Sequence, residues 1–320
     1  MSVICIGEIL IDQVVSAYGE RQSLPGGAPA NVAVALSRLA VPVAFVGAVG
    51  NDAWGQCLAQ MLQSHGIDSQ GLQVCDAPTR VVEVHCAANG DRTFGGFIGG
   101  PTTAFADAQL APEPWRSQPL QSASALVTGT LGMAYPTTRA TMNAAATAVK
   151  GYGGKLIIDV NWRPTFWPDP DAAITILLPW LQQADVLKLS VDDALALFQT
   201  ADLSALVTEF PGSEILLTDG TRGCQYALSR QVGQVPAFAI AAVETTGAGD
   251  AFLAGMIYQL IAHNWHFANP SQATKAVQFA NAMGALTTLK PGAIAAQPTV
   301  DELLDFLHTY TDQAWTIRRV

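Results

Sequence analysis

Short apolar runs that alternate with longer helical stretches are the feature of this sequence that most constrains its fold. The runs at 3–6, 155–159 and 214–218 have the length of strands and end at glycine or polar residues. Between such runs, stretches rich in small apolar residues predict helices. This order is typical of an α/β fold in which helices cover both faces of a mostly parallel sheet, so we predict a three-layer αβα arrangement.

One segment, 79–100, departs from this order. It contains two runs that alternate between apolar and polar residues, and Asn89-Gly90-Asp91 lies between them. Asn-Gly between alternating segments is a strong signal for a β-hairpin. We therefore predict a small antiparallel excursion from the parallel sheet, of the kind that forms a lid.

Composition limits the classes of function. The 320 residues are 50% hydrophobic and 13% charged, with a net charge of -10. Such a chain can form a large core, and its charge argues against nucleic acid or an anionic membrane as a partner. No apolar run reaches the ~18 residues of a membrane span, and the N-terminus lacks the basic stretch of a signal peptide. Five scattered cysteines without a C-x-x-C pair favour free thiols and a cytoplasmic location.

The turn Gly247-Ala248-Gly249 is the strongest candidate for a functional site. The apolar run 251–260 follows it and is too long for a typical strand, so it predicts a buried helix. Free backbone N–H groups and the positive end of the dipole favour an anion at such a helix start. Asp250 at this point is either a helix cap or a general base beside a phosphate. The sequence contains neither a Walker A loop nor G-x-G-x-x-G.

Other polar residues and glycines follow predicted strands or begin predicted helices. The carboxyl ends of parallel strands meet at one edge of a sheet, so we expect these groups to converge on the helix start at 247–250. The convergence favours the catalytic interpretation of Asp250 over a simple cap. The groups are Asp12, Gly26 and Gly27, Asp159 to Arg163, Ser190 and Thr218. Asn31 lies in the first turn of the helix after Gly27, where its amide either caps or binds something.

Two motifs carry a resemblance to a known family. Gly-Gly-Ala-Pro-Ala-Asn-Val-Ala at 26–33 and Thr-Thr-Gly-Ala-Gly-Asp at 245–250 resemble the two signatures of the pfkB family of ribokinase-like carbohydrate kinases, the first in its fructokinase form. The resemblance extends over essentially the whole chain. It implies one ribokinase-like domain, 1–320, with β-lid excursions at about 12–25 and 79–100. It also implies ATP and a sugar as small-molecule partners, and a homodimer through the lid.

The resemblance implies a role for each matching residue. Asp250 corresponds to the base that deprotonates the primary hydroxyl of the sugar, and the amides of Gly247, Ala248 and Gly249 to an anion hole. The positions implied to hold the sugar are Asp12, Gly26, Gly27, Asn31 and Arg163. The positions implied to bind ATP are Lys188, Ser190, Thr218, Gly220, Gly223 and Asn281. Asp193 matches a residue of the network around Mg²⁺.

The chain departs from the family pattern in three places. Ser190 and Asp193 replace the family's Asn and Glu, and the lid is unusually rich in glycine over 95–100. Glu244 replaces an Asp that, with the residue matching Thr246, lies beside a monovalent cation in many relatives. The glutamate side chain is one methylene longer than that of Asp. It either still faces a K⁺ ion or holds the turn by its own hydrogen bonds. The run 239–243 before it predicts a buried strand.

Together, these features predict an ATP-dependent kinase that phosphorylates the primary 6-hydroxyl of a ketohexose, with fructose as the substrate. A 2-keto-3-deoxygluconate kinase and a ribokinase are the alternatives within the class. Arg163 could bind the carboxylate of 2-keto-3-deoxygluconate. Fructokinases carry a similar Arg, however, so Arg163 does not distinguish between the two substrates. A non-catalytic sugar-binding protein on the same fold is the alternative from another class, and Asp250 beside an intact Gly-Ala-Gly argues against it. The fructokinase form of 26–33 argues against a nucleoside kinase.

Overall fold

Two β-sheets organise the chain. The computed structural model describes residues 2–86, 92–112, 120–311 and 315, and the predicted turn at Asn89-Gly90-Asp91 lies outside them. The described strands are β1 (Ser2–Ile6), β2 (Leu10–Val15), β3 (Arg21–Gly26), β4 (Val43–Gly50), β5 (Asp68–Cys75), β6 (Val81–Cys86), β7 (Arg92–Ile98), β8 (Ala123–Thr128), β9 (Lys155–Asp159), β10 (Val186–Ser190), β11 (Glu214–Thr218), β12 (Cys224–Leu228) and β13 (Gln231–Val235). The described α-helices are α1 (Ala28–Arg38), α2 (Ala53–Ser64), α3 (Pro136–Gly151), α4 (Ala173–Leu181), α5 (Val191–Phe198), α6 (Leu203–Glu209), α7 (Ala248–Ala262), α8 (Pro270–Thr287) and α9 (Val300–Tyr310).

The larger sheet is mostly parallel, as predicted. Within the described residues it has nine strands in the order β13-β12-β11-β10-β9-β8-β1-β4-β5, and only the pairings β11–β12 and β12–β13 are antiparallel. The smaller sheet has the order β3-β2-β6-β7. The β12–β13 hairpin was not predicted from the sequence, because its short strands carry several Gln residues and no long apolar run.

The apolar runs are continuous because helices cover both faces of the larger sheet. Alternate residues of β1 enter two different cores: Val3 and Cys5 pack with α1, α7 and α8, and Ile4 and Ile6 pack with α3 and α4. A strand that is buried on both faces has no solvent side and so needs no polar alternation. The three-layer arrangement predicted from the sequence is confirmed.

Strand order places the candidate site. β1 lies between β4 and β8, and the chain first fills the side of β4 and β5 and then the side of β8 to β11. Ligands of open α/β sheets bind outside the carboxyl ends of strands at such a reversal. The starts of α1 and α7 lie at this edge, where the side chains of Asn31 and Asp250 meet.

The smaller sheet lies over the larger domain through an aromatic contact. Asp12, Val82 and Phe97 pair in register and share one face. The ring of Phe97 packs against Phe105 at 5.9 Å and Phe166 at 4.9 Å between centroids. This face therefore points inward, and it carries Asp12 towards the candidate site.

Local geometry accounts for the glycines of the lid. Gly95 lies where the β6–β7 register shifts, and a Cβ atom there would come within 2.5 Å of the His85 ring. Gly96 and Gly99 have φ values of 128° and 108°, which L side chains rarely adopt. The glycines thus form a bulge and bends that aim β7 at the larger domain.

A buried arginine anchors the lid where β6 begins. The Arg80 side chain forms an ion pair with Asp107 at 2.7 Å and donates to the Thr102 carbonyl at 2.8 Å. Its guanidinium also lies 4.7 Å from the Phe105 ring centroid and 5.3 Å from that of Tyr135. Arg80 is 1% exposed, so these contacts fix the base of the lid to the larger domain.

The prediction of a buried strand at 239–243 is wrong. β13 ends at Val235, and the segment that follows is irregular, with Val243 68% exposed. Three of the five residues are alanine, which bury little apolar area, and the backbone N–H of Val243 donates to the Thr288 carbonyl at 2.7 Å and not to a strand. Among the described residues, every helix falls short of the length and hydrophobicity that a membrane span needs.

Candidate active site

The glycine turn before α7 is the predicted anion hole, and one of its three amides already has a hydrogen-bond partner. Gly247 has φ 81°, and a Cβ atom there would lie 3.0 Å from Ala293, so glycine is required. Of the predicted anion-hole amides, Ala248 donates to the Thr245 carbonyl at 3.2 Å. The amides of Gly247 and Gly249 are therefore the stronger candidates for contact with a phosphate.

Asp250 lies in the first turn of α7 and is joined to α1. Asn31 Nδ2 donates to Asp250 Oδ2 at 2.7 Å, across 219 positions of sequence. Asn31 is 5% exposed and lies in the first turn of α1. Gly27 caps this helix, and its φ of 105° lets the chain turn sharply into α1. The contact brings together a predicted sugar-binding residue and the predicted base.

The surroundings of Asp250 make it a stronger base than an ordinary aspartate. Burial raises the pKa of Asp250, and the charges of Lys188 and Arg163 and the hydrogen bond from Asn31 only partly oppose this. A carboxylate with a raised pKa accepts a proton more readily near neutral pH. Arg163 is exposed and donates to the Trp162 carbonyl at 2.9 Å, so it acts on Asp250 through its charge.

A buried ion pair lies against the predicted anion-binding turn. Lys188 and Asp159 are register partners on β10 and β9, and Lys188 Nζ lies 3.0 Å and 2.8 Å from the two carboxylate oxygens. A Cβ atom on Gly249 would be 2.9 Å from Nζ, so the ammonium group lies directly against the start of α7. Burial would lower the pKa of Lys188, but the Asp159 carboxylate outweighs it and the pKa is raised.

The predicted sugar-binding glycines allow close packing around Asp12. A Cβ atom on Gly26 would lie 2.4 Å from Asp12 Oδ2, and one on Gly27 would lie 2.5 Å from the Glu8 carbonyl oxygen. Glycine at both positions therefore lets β2, β3 and the start of α1 meet. The structure brings Asp12, Gly26, Gly27 and Asn31 together at the base of the lid.

Asp193 and Ser190 form the capping box of α5. Asp193 Oδ1 accepts from the Trp162 N–H and Oδ2 from the Ser190 N–H, both at 2.9 Å, and Ser190 Oγ accepts from the Asp193 N–H at 3.0 Å. No group of three His, Cys, Asp or Glu side chains among the described residues forms a metal cage. Mg²⁺ bound to nucleotide phosphates usually keeps several waters and needs only one or two carboxylates. Both oxygens of Asp193 and both of Asp159 already accept hydrogen bonds, so either carboxylate fits such a cation only through the water around it.

The other predicted nucleotide residues lie at β11, in the turn after it and on α8. Thr218 ends β11, and its Oγ1 donates weakly to the Leu189 carbonyl at 3.4 Å. Gly223 has φ 92°, and a Cβ atom there would meet the Val235 carbonyl at 2.1 Å. Asn281 Nδ2 donates to the carbonyls of Val235 at 3.3 Å and Pro236 at 3.0 Å. Asn281 thus braces α8 against β13. Gly220, with φ 49°, belongs to the turn after β11.

Glu244 contacts the loop that follows α8. Its Oε2 accepts from the Gly292 N–H at 3.1 Å, and its own N–H donates to the Thr288 carbonyl at 3.1 Å. Thr246 lies two residues further along the same turn and is half-buried. The longer glutamate arm therefore holds this turn through at least one hydrogen bond of its own.

Three buried charged residues received no role in the predictions from the sequence. Glu8, Arg80 and Asp107 are 3%, 1% and 4% exposed. Glu8 stands between apolar neighbours at the end of β1, and a carboxylate inside an apolar run is a signal that could have found it. Nothing local in the sequence marks Arg80 and Asp107 as partners, since 27 positions separate them.

Comparison with known proteins decides the family. The model of the pfkB family of carbohydrate kinases matches residues 1–300. The chain belongs to the pfkB family of carbohydrate kinases. This pfkB kinase is 35% identical over 317 residues to a probable fructokinase-3 of Arabidopsis thaliana, covering 95% of this chain and 91% of the relative.

Solved structures agree with this assignment. A fructokinase from Xylella fastidiosa with bound ATP matches with a TM-score of 0.88 and 28% identity, covering 96% of this chain and 98% of that one. A double mutant of the fructokinase from Vibrio cholerae O395, with fructose, ADP and a potassium ion, matches with a TM-score of 0.85 and 31% identity over the same shares. The ribokinase-like fold is confirmed, and this pfkB kinase is an ATP-dependent sugar phosphotransferase.

Proposed function

We propose that this pfkB kinase transfers the γ-phosphoryl group of ATP to the primary 6-hydroxyl of fructose and so forms fructose 6-phosphate. The observation that carries the proposal is the position of Asp250, which lies beside the Gly247–Gly249 turn and accepts a hydrogen bond from Asn31. The names of the relatives support fructose as the sugar, as does the bound fructose of the Vibrio cholerae structure.

The proposed reaction needs one base and one set of donors. Asp250 accepts the proton of the sugar hydroxyl, and the hydroxyl oxygen of the sugar forms a bond to the γ-phosphorus atom. The bond from that phosphorus atom to the bridging oxygen breaks, and ADP leaves. The amides of Gly247 and Gly249, the start of α7 and the Lys188 ammonium stabilise the charge on the transferred group. The stabilisation requires no movement of these groups during the step.

The remaining residues bind the two substrates in this proposal. Asp12, Gly26, Gly27, Asn31 and Arg163 hold the sugar below the inner face of the lid. The nucleotide binds at the edge formed by Lys188, Ser190, Thr218, Gly220, Gly223 and Asn281.

A divalent cation accompanies the nucleotide in the proposal. We propose that it is Mg²⁺, which neutralises the phosphates, and that Asp193 and Asp159 orient it through water. The calcium ion of a Vibrio cholerae fructokinase structure with fructose and ADP supports a divalent cation in such a site.

A panel of sugars tests the substrate. We expect fructose to give a higher kcat/KM than ribose or 2-keto-3-deoxygluconate when ADP release is followed in a coupled assay with Mg-ATP. A higher value for either of the other two would overturn the choice of fructose and leave the kinase standing. Binding of fructose by calorimetry without ADP release from any sugar would instead favour the non-catalytic alternative.

Asp12→Ala separates the sugar side of the site from the ATP side. A hydrogen bond between a charged group and a sugar hydroxyl is worth about 1.5–3 kcal/mol. The variant should therefore raise the KM for fructose and leave the KM for ATP unchanged. Asp76→Asn, in the loop after β5, is the matched control for loss of one charge. A variant weakened for ATP alone would contradict this placement.

Potassium activation is part of the proposal. The potassium ion of the Vibrio cholerae structure supports a cation near the anion-binding turn, while the hydrogen bond from Gly292 to Glu244 supports a turn that holds itself. We propose that activation is retained, so the initial rate should be higher in potassium than in a large organic cation at equal ionic strength. Equal rates would show that the turn supports itself, and Glu244→Asp would then test whether arm length removed the dependence.

Two further properties complete the proposal. We propose a cytoplasmic enzyme, on the basis of its scattered cysteines and its use of ATP. We also propose a homodimer through the lid, where Phe94 and Ile98 are 43% and 41% exposed. Sedimentation of the purified chain distinguishes a dimer from a monomer.

A further inference from the structure

Glu8 is a buried carboxyl group to which the proposed reaction assigns no role. It lies just after β1 and is 3% exposed. Its Oε1 accepts from the Ala28 N–H at 3.2 Å, at the first turn of α1. Its Oε2 is fully buried and has no hydrogen-bond partner among the described residues. An ionised oxygen in that position would lose its hydration without compensation.

A second buried acceptor lies at the same turn. Asn31 Oδ1 also has no hydrogen-bond partner in the described part of the chain, while Asn31 Nδ2 donates to Asp250. The Asn31 N–H donates to the Gly27 carbonyl at 2.9 Å, and Gly27 packs on the Glu8 backbone. Two residues at the start of α1 thus each carry a buried acceptor that has no donor among the described residues. A neutral carboxyl group supplies the missing donor, because it carries an O–H as well as an acceptor oxygen.

The charges around Glu8 also favour the neutral acid. Asp107 faces it from the segment after the lid, where its own charge is paired with Arg80, and Asp250 faces it from α7. Burial raises the pKa of Glu8 to about 8; the backbone N–H groups of Glu8 itself and of Ala28 oppose this, and the charges of Asp107 and Asp250 add to it. At neutral pH most of the molecules therefore carry a proton on Glu8.

We propose that Glu8 is a positioning residue for phosphoryl transfer, and that its neutral carboxyl group holds the first turn of α1 so that the Asn31 amide faces Asp250. Glu8 acts through Asn31 and does not contact the reacting atoms. The inference rests on the proposed role of Asp250 as the base. It adds a proton-dependent element that the resemblance to the family did not imply.

Glu8→Gln and Glu8→Ala test the role of the proton. Glutamine keeps the shape and is neutral with a permanent donor, so it should keep near-wild-type kcat at pH 7. Alanine removes the donor and should lower kcat by up to about 10²-fold, the loss typical of a small misplacement of reacting groups, with the KM for ATP unchanged. Glu209→Gln, an exposed change of the same charge at the end of α6, is the matched control.

The pH profile separates positioning from simple packing. The wild type should lose kcat as the pH rises through about 8, because Glu8 then ionises beside Asp250. Glu8→Gln has no such group and should keep its activity through that range. The same alkaline loss in both proteins, or a Glu8→Gln variant as inactive as Glu8→Ala, would overturn the proposal.

Melting temperature gives a readout that does not depend on catalysis. A carboxyl group whose pKa is raised in the folded state stabilises the fold fully at pH values below its pKa in the unfolded chain. This contribution is lost as the pH rises through its pKa in the folded chain. The melting temperature of the wild type should therefore fall relative to Glu8→Gln between pH 4.5 and about 8, and the difference should be constant above that. A difference independent of pH would show that Glu8 is ionised and overturn the proposal. Failure of the sugar panel alone would leave this difference in place, so the two failures are distinguishable.

Discussion

Asp250→Asn is expected to lower kcat by about two to four orders of magnitude, the usual loss for a positioned general base. Asparagine keeps the size of the side chain but cannot accept the hydroxyl proton. The Gly247–Gly249 turn is untouched, so the dissociation constants for ATP and fructose should change little. Single-turnover kinetics with calorimetry of both ligands measures the two effects separately.

The same substitution has a predictable effect on stability. Burial raises the pKa of Asp250 in the folded state, so the carboxylate stabilises the fold less as the pH rises through that pKa. At neutral pH the asparagine variant should therefore melt no lower than the wild type, although it has lost its activity. Such an exchange of stability for activity is common at catalytic residues.

Asp301→Asn is the matched control for Asp250→Asn. Asp301 is also an acid in the first turn of a helix, α9, but it is exposed. Its loss should leave kcat unchanged. Near-normal turnover in Asp250→Asn would end the assignment of Asp250 as the base, and a lower melting temperature with weakened ligand binding would indicate a structural role.

Local patterns were sufficient to predict the parallel sheet and the position of Asp250. The turn at Gly247 and the helix after it are adjacent in sequence, and strand length and apolar content mark β9 and β11 directly. The contact between Asn31 and Asp250 spans 219 positions, and only the strand order brings the two residues together. The convergence of strand ends predicted the region of the site and not this contact.

The errors have a similar physical origin. The run at 239–243 has the apolar character of a strand but finds no neighbouring strand, because β13 ends the sheet. The β12–β13 hairpin was not predicted, because its strands join the sheet only through the pairing of β12 with β11. Pairing partners and competing hydrogen bonds depend on the whole fold, so a single sequence does not reveal them.

The buried pair of Lys188 and Asp159 gives the second large effect. Removing one member of a buried ion pair typically costs about 3–5 kcal/mol, because the other charge is left without compensation. Lys188→Met should therefore lower the free energy of unfolding by that amount at alkaline pH, where Asp159 stays ionised, as measured by urea denaturation. Burial raises the pKa of Asp159 to about 6 even beside Lys188, so without the ammonium group the abandoned carboxyl takes up a proton as the pH falls to neutral and the loss should shrink.

The pair of Lys155 and Asp185 is the matched control. It lies near the opposite ends of the same two strands, at 3.1 Å, but its side chains are 39% and 23% exposed. Exposed pairs contribute about 0.2–1 kcal/mol, so Lys155→Met should change stability little. An equal loss in the two variants would show that lysine packing, and not charge burial, is measured.

A double variant separates the structural from the catalytic part of the pair. Replacing both members of a buried ion pair with apolar residues is often neutral or stabilising, so Asp159→Leu with Lys188→Met should recover most of the stability that Lys188→Met loses. Activity should not recover, because the ammonium group against Gly249 is still missing and the transferred phosphoryl group lacks its charge. If stability and activity return together, Lys188 serves only to hold Asp159, and the proposed contact with the phosphates is wrong. If neither returns, the pair fixes the strand ends in a way that apolar side chains cannot replace.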